Sequence, residues 1–329
     1  MSIVEAELER GVRRRAGLVI GVLRDGLPTV RGRAADGGVL DGQSIFEIGS
    51  ITKTFTSLLL ADGVVRGDWS LATPVRDLLP AGTRVPSRDG VEITLEHLAT
   101  HTSGLPGAAV PVVRGSVEML RGRDPYARLT TDDLLLVLSR SQLKRTPGTP
   151  AVHYSNLGVG VLGQAMAHAS GTPYADLLAT RVLRPLGLAD TATHARLDPV
   201  QRSRLVPGHR GRGRPAAARP LEGMPAAGAL RSTADDMLRY PAAQLDPDQS
   251  PLGEAIRLTH VLREDKLLTV GPGWMRIDKP RMLWWHNGGT GGYRSFVGFR
   301  PDRRDAVVVL SNQSRGVDLV GLRVLKSLD

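Results

Sequence analysis

The chain has 329 residues, a formal net charge of +10 and no cysteine. The absence of cysteine excludes disulfide bonds, thiolate metal sites and a cysteine nucleophile. A length of this order fits one large domain or two closely packed ones, with enough apolar residues to bury a core.

The positive charge comes mainly from arginine, because only five of the 43 basic residues are lysine. The arginines are spread along the chain, with one cluster at residues 13–15 and another at residues 210–214. Aromatic residues make up only 4% of the chain, which leaves little material for stacking nucleic-acid bases. We interpret the excess as a solvated surface and expect no nucleic acid as a partner.

The N-terminal segment does not have the pattern of a signal peptide. Acidic residues precede the basic ones, and the apolar run at residues 18–23 is too short for the hydrophobic region. No stretch approaches the ~20 apolar residues that are needed to span a bilayer. With Met1 as the true start, we expect a cytoplasmic protein that has no membrane partner.

The predicted elements begin with a hairpin, in which residues 16–23 and 28–33 are extended and Asp25-Gly26 forms the turn. The pattern becomes helical from Ser50, and Gly63 and Gly67 mark the end of that helix. Later helices are predicted to begin at Thr131, to span Asn156–Ser170, to begin at Ser232 and to span Val317–Leu328. The predicted strands of the last hundred residues are Leu267–Ile277, Arg281–His286, Tyr293–Arg300 and Asp305–Leu310.

Strands at both ends of the chain, with helices between them, predict an α/β (α+β) fold with one antiparallel sheet built from the two termini. We expect residues 1–70 and 226–329 to form the sheet domain. Residues 71–225 would form a helical and loop region inserted in it, which completes an active-site crevice.

Ser50 and Lys53 are the first candidates for chemistry, because a spacing of three places both side chains on one helix face. A serine hydroxyl becomes nucleophilic when a neighbour takes its proton, and a lysine whose charged form is disfavoured can do this. The helix N-terminus also stabilises developing negative charge. Alone, this tetrapeptide is weak evidence, since an N-capping serine with a solvated lysine has the same spacing.

Other motifs accompany it. Tyr154-Ser155-Asn156 precedes a predicted helix, and His286-Asn287-Gly288-Gly289 ends a predicted strand. The segments GSITK, HLATHTSGL, YSN, GALRSTADDM and WWHNGGTGGYRSFVGF, in this order, resemble the serine β-lactamase and penicillin-binding protein superfamily. The most similar branch holds class C β-lactamases, family VIII esterases and D-aminopeptidases. The resemblance covers nearly the whole chain and implies a five-stranded antiparallel sheet with flanking helices.

The resemblance also implies roles for individual residues. Ser50 would be the acylated nucleophile, Lys53 the base that takes its proton, and Tyr154 the second proton carrier. The sequence does not decide which of Lys53 and Tyr154 is the primary base, because the two are expected to titrate as a coupled pair. Asn156 would donate or accept a hydrogen bond at Lys53 or at a substrate amide. No cofactor is implied.

The backbone N–H groups of Ser50 and Gly289 would form the oxyanion hole, with the geometry of Gly288-Gly289 as important as any side chain. His286 departs from the family pattern, because β-lactamases and transpeptidases carry lysine there, in a K-T-G motif. A histidine is mostly neutral at pH 7 and binds a carboxylate less well.

Family members with H-x-G resemble aminopeptidases, esterases and amide-forming transacylases. The sequence therefore predicts an acyl-enzyme at Ser50, formed from a small ester or amide substrate. The expected function is an esterase, an amidase or a biosynthetic transacylase that passes the acyl group to an amine. The alternatives are a β-lactamase or D-amino-acid peptidase, and an inactive homologue that only binds a ligand.

His97 and His101 have a spacing that can place two zinc ligands on one helix face. The glutamate that usually follows the first histidine is absent, since Leu98 stands there. We therefore predict no metal site.

Overall fold

The computed structural model describes residues 2–110, 126, 128–264 and 269–329. Its helices are α1 (Ile3–Val12), α2 (Thr52–Arg66), α3 (Leu95–Ala99), α4 (Thr131–Arg140), α5 (Asn156–Ala169), α6 (Tyr174–Leu178), α7 (Pro199–Ser203), α8 (Ala234–Leu245), α9 (Gly253–Thr259) and α10 (Asp318–Ser327). Its strands are β1 (Gly17–Arg24), β2 (Leu27–Ala34), β3 (Phe46–Glu47), β4 (Ala192–Thr193), β5 (His209–Arg210), β6 (Arg214–Pro215), β7 (Leu230–Ser232), β8 (Arg263–Glu264), β9 (Thr269–Gly271), β10 (Trp274–Ile277), β11 (Leu283–Gly289), β12 (Arg294–Arg300) and β13 (Asp305–Ser311).

One large antiparallel sheet has the strand order β2-β1-β13-β12-β11-β10-β9-β8. Both ends of the chain contribute to it, and most of the helices lie between them in sequence, so the predicted α/β fold is confirmed. The five long strands, β2 to β11 in that order, match the expected five-stranded sheet. The described residues extend it by three short strands.

The predicted hairpin at the N-terminus is confirmed, with Leu18 paired to Arg33 and Arg24 paired to Leu27. Asp25 and Gly26 both have positive φ, at 52° and 77°, which is the backbone of the tight turn that joins twisted strands.

The prediction of a single strand over Leu267–Ile277 is wrong for its described part. The chain turns back at Gly273, whose φ of 75° is available to glycine at little cost, and this splits the segment into β9 and β10. Residues 267 and 268 lie outside the described residues.

Strands β1 and β13 are buried on both faces, which explains their nearly continuous apolar runs. Leu18 and Ile20 point to the face that α1 and α10 cover, whereas Val19 points to the main core on the opposite face. Helix α8 packs against β1 and β13 on the main-core face. The division into a sheet domain and an inserted region stays a prediction.

Helix α2 is the central element of the main core. Every residue from Thr52 to Gly63 is buried, so the helix is surrounded by protein, and it packs against α9 and α5. In the part of the chain that the structure describes, no helix is long and apolar enough to cross a membrane. The cytoplasmic location stays a prediction.

Candidate active site

Ser50 lies in a short 3₁₀ turn, Gly49–Ile51, that leads directly into α2. Gly49 has a φ of 53°, and a Cβ atom there would lie 2.6 Å from the backbone nitrogen of Gly289. Only glycine satisfies both the backbone conformation and this close approach. The turn therefore presents Ser50 at the N-terminal end of a buried helix, against the end of β11.

Lys53 is completely buried in the first turn of α2. Its Nζ lies 3.2 Å from Ser50 Oγ, 2.8 Å from Asn156 Oδ1 and 2.6 Å from the carbonyl oxygen of Ala227. The two carbonyl oxygens can only accept hydrogen bonds. A neutral amine would direct its two hydrogens to them and leave its lone pair for the Ser50 hydroxyl.

Burial lowers the pKa of Lys53 from its ordinary value to about 7, because desolvation disfavours the ammonium form. Lys53 is therefore uncharged in a large fraction of molecules near neutral pH. This is the protonation state that can accept the proton of Ser50.

We expect the rate of acylation to rise with pH through about 7 and to level off above it. The rate rises with pH because acylation requires neutral Lys53, and protonation below this pKa removes the lone pair that faces Ser50. Stopped-flow measurement of acylation of the free enzyme from pH 5 to 9 tests it. A profile that falls with pH across this range would contradict the assignment of Lys53 as base.

Tyr154 completes the group around Ser50. Its hydroxyl is hydrogen-bonded to Ser50, and Lys53 Nζ lies 4.8 Å from the centre of its ring. The side chain is 38% exposed. Burial of the hydroxyl raises its pKa to about 12, so Tyr154 keeps its proton at neutral pH.

The segment that carries Tyr154 and Asn156 is held by the loop that follows α3. The backbone N–H of Ser155 donates to His101 Nδ1 over 3.2 Å, and the Ser155 hydroxyl donates to the carbonyl of Pro106. The N–H of Asn156 donates to the carbonyl of Gly107 over 2.8 Å. Ser155 also caps α5 by accepting a hydrogen bond from the N–H at position 158.

The end of β11 lies against the turn before Ser50. A Cβ atom on Gly288 would lie 1.9 Å from the carbonyl oxygen of Ile48, so no larger residue fits there. The Ser295 hydroxyl of β12 donates to this same carbonyl over 2.7 Å. These contacts bring the N–H groups of Ser50 and Gly289 into one region. The oxyanion hole itself stays a prediction.

His286 lies beside Tyr154, with the two ring centres 6.4 Å apart, and is only 2% exposed. Burial, together with the nearby charge of Lys53, lowers its pKa to about 3, so the ring is neutral. Nδ1 lies 2.6 Å from the carbonyl oxygen of Asn287, which can only accept a hydrogen bond. The proton therefore resides on Nδ1, and Nε2 is left as an acceptor.

Two participants were not predicted from the sequence. The Ala227 carbonyl binds Lys53 through a backbone atom that no side-chain pattern reveals, although the neighbouring GALRSTADDM segment is part of the family resemblance. His101 was considered as a metal ligand and as a structural residue of the HTSGL motif, but not as a neighbour of Tyr154. It lies with its ring 4.6 Å from that of Tyr154, and burial and the charge of Lys53 lower its pKa to about 3.

The other candidate ligand, His97, accepts the N–H of Thr94 at Nδ1 as part of a helix cap. No group of three or more histidine, aspartate or glutamate side chains in the described ranges is placed to hold a metal ion.

Comparison with known protein families matches residues 4–326 to the family model described as Beta-lactamase. The chain belongs to the β-lactamase family. It is 31% identical over 292 residues to the D-alanyl-D-alanine-carboxypeptidase/endopeptidase AmpH of Escherichia coli. The aligned residues cover 82% of this chain and 71% of that protein. A β-lactamase of E. coli is 28% identical over 309 residues, covering 83% and 76%. A β-lactamase of Lysobacter lactamgenus is 25% identical over 366 residues, covering 96% and 89%.

These relatives confirm the resemblance that the motifs indicated, to class C and AmpH-like serine penicillin-recognising enzymes. This β-lactamase-family protein is a serine hydrolase. Of the functions considered from the sequence, the relatives support the β-lactamase or D-amino-acid peptidase more than the esterase or transacylase.

Proposed function

We propose that this β-lactamase-family enzyme is a peptidase that cleaves amide bonds next to a D-amino acid and forms an acyl-enzyme at Ser50. The main observation in support of an acyl-enzyme is the buried Lys53, which has a pKa of about 7 and places its Nζ 3.2 Å from Ser50 Oγ. The similarity to a D-alanyl-D-alanine-carboxypeptidase/endopeptidase supports the substrate class.

In the proposed reaction, Ser50 Oγ forms a bond to the substrate carbonyl carbon while its proton moves to Lys53. The N–H groups of Ser50 and Gly289 stabilise the oxyanion. Tyr154 then donates its proton to the leaving nitrogen as the C–N bond breaks, and Lys53 returns a proton to Tyr154. Water attacks the ester that remains, with the same residues handling the protons, and releases the acid and free Ser50.

His286 favours substrates without a carboxylate beside the scissile bond. A neutral ring replaces the lysine that recognises a carboxylate in β-lactamases, so the charge attraction is absent. Arg294 does not replace it. Ser295 bonds to Ile48 on the Ser50 side of the sheet, so its neighbour Arg294 points to the opposite side, where Nη1 donates to the carbonyls of Thr290 and Tyr293.

A matched pair of substrates tests the proposal: an acylated D-alanyl-D-alanine with a free C-terminal carboxylate, and the same compound as the C-terminal amide. We expect Ser50-dependent cleavage of both, with kcat/KM for the amide at least equal to that for the acid. Benzylpenicillin and a p-nitrophenyl ester are run in parallel, and the L,L-dipeptide is the stereochemical control.

Turnover of the ester alone, with neither D-peptide cleaved, would overturn the peptidase proposal. In that case added amines decide between an esterase and a transacylase, because only a transacylase diverts the acyl group from water to the amine. Rapid penicillin hydrolysis without peptide cleavage would identify a β-lactamase instead.

We expect His286→Lys to raise the ratio of kcat/KM for the free-acid peptide to that for its amide by about tenfold, because a lysine restores one charge-assisted contact. His286→Gln is the matched control, since it is polar but uncharged and should leave the ratio unchanged. Kinetics on the two peptides give the result. Equal ratios in both variants would mean that the shape of the crevice, rather than charge at this position, decides the selectivity.

A further inference from the structure

A second concave site lies at the end of the sheet where β1 begins and β13 ends. It is a cleft of about 730 Å³, lined by residues 12–16, by Ala35 and by residues 313–315. Gly211 and Gly213, in the hairpin formed by β5 and β6, close one side. The two arginine clusters that are far apart in sequence thus belong to segments that meet at one cleft.

The lining is strongly cationic. Arg13, Arg14 and Arg315 are exposed, and Arg15 is half-buried. In the described part of the chain, none of these four arginines forms an ion pair. The carboxylate that acts on Arg15 is Glu7.

The carboxylate of Glu7 already binds two arginines outside the cleft. Arg323 binds both of its oxygens, over 2.7 and 2.8 Å, and Arg10 binds one of them over 2.8 Å. Glu7 therefore has little capacity left to neutralise the cleft. The arginines repel one another, and the charges of Arg315 and Arg14 contribute to lowering the pKa of Arg15, after the larger effect of burial.

Among the described residues, the cleft also holds one buried donor without a hydrogen-bond partner. Gln313 is 8% exposed, and its Oε1 accepts the N–H of Ala16 over 2.6 Å. Arg15 donates from Nη2 to the carbonyl of Gly316, whereas its buried Nε has no hydrogen-bond partner in the described residues. Such donors are usually satisfied in folded proteins.

A structural role in helix α1 explains only part of this arrangement. Cations near the C-terminus of a helix interact favourably with its dipole, and Arg13 caps α1. Arg315 comes from the opposite end of the chain and follows β13, so the dipole of α1 does not account for it. The pairing of β1 with β13 brings the two segments together, but it does not require that both of them carry arginines.

We propose that this cleft binds a small-molecule anion with two linked phosphate groups. Guanidinium groups match phosphate oxygens with paired hydrogen bonds, and four of them exceed what a single phosphate needs. The volume is in the ordinary range for small-ligand sites, roughly 300–1,000 Å³. A concave site of this size favours a compact ligand over a nucleic-acid duplex. The lining residues include none of Ser50, Lys53, Tyr154, Asn156 and His286, so the inference is independent of the proposed peptidase activity.

Isothermal titration of the full chain with inorganic pyrophosphate tests the proposal, at about 50 mM salt and again at ~150 mM salt, where exposed charges are more screened. Orthophosphate and adenosine diphosphate distinguish a phosphate site from one that takes a diphosphate ester. The double variant Arg14→Gln/Arg315→Gln should weaken pyrophosphate binding by at least about tenfold.

The control is Arg140→Gln/Arg184→Gln, which removes the same charge from two exposed arginines outside the cleft. It should bind pyrophosphate as the unmodified protein does, and so should Ser50→Ala. Absence of pyrophosphate binding, equal losses in the two double variants, or orthophosphate binding as tight as that of pyrophosphate would overturn the proposal. Tighter binding of a duplex oligonucleotide, lost in the cleft variant, would replace it with a nucleic-acid site.

Discussion

Replacing Ser50 with alanine is expected to lower kcat for D-peptide cleavage by roughly 10⁴- to 10⁶-fold, the loss typical of a removed serine nucleophile. The side chain is small and only partly buried, and Lys53 keeps its two carbonyl acceptors at Asn156 and Ala227. The fold and the substrate crevice should therefore persist, so the loss reports chemistry rather than unfolding.

Intact mass spectrometry measures this directly. The unmodified protein should gain one adduct with a fluorophosphonate and one with benzylpenicillin, and Ser50→Ala should gain neither. Ser327→Ala, which removes an exposed hydroxyl at the end of α10, is the matched control and should be labelled normally. Persistent labelling of Ser50→Ala would move the nucleophile to another residue.

Replacing Lys53 with methionine is expected to lower the acylation rate by about 10³-fold, within the range of a lost general base. Methionine keeps most of the buried volume but has no lone pair on nitrogen to accept the Ser50 proton. The rise of the rate through pH 7 should disappear as well, because the group that titrates there is gone.

Lys53→Arg makes the comparison sharper. Arginine stays protonated at every accessible pH, so it preserves a cation but cannot act as base. Both variants should be slow, and neither should recover at pH 9. Lys144→Met, at an exposed lysine, is the control for the substitution itself. An arginine variant that retains activity would show that positive charge, rather than proton transfer, is what Lys53 supplies.

The pKa values of the site separate two roles that the sequence left open. Lys53 at about 7 is available as an acceptor at neutral pH, whereas Tyr154 at about 12 holds a proton that it can donate. Burial causes both shifts, and it acts in opposite directions because the charged form is a cation in one residue and an anion in the other. The lower pKa of Lys53 and the higher pKa of Tyr154 support Lys53 as the proton acceptor in the first step and Tyr154 as the proton donor to the leaving group.

Local sequence was sufficient for the elements whose signals are short-range. The Asp25-Gly26 turn, the helix at residue 156 and the C-terminal helix depend on backbone preference, capping and periodicity within a few residues, and each lies close to its predicted position. Helix α1 was not predicted. The three short strands were also missed as separate elements, because each is defined by pairing with a neighbouring strand, β10 with β11, β9 with β10 and β8 with β9, rather than by its own composition.

The sequence by itself determined the family, the order of the motifs and the residues around Ser50, since these are recorded in side-chain identity and spacing. Only the tertiary structure decided the protonation state of Lys53, because a pKa depends on the protein that surrounds the amine. It alone also placed the Ala227 carbonyl on that amine and joined Arg315 to the cluster at residues 13–15. Burial and contacts between distant segments are properties of the folded chain, and no local pattern specifies them.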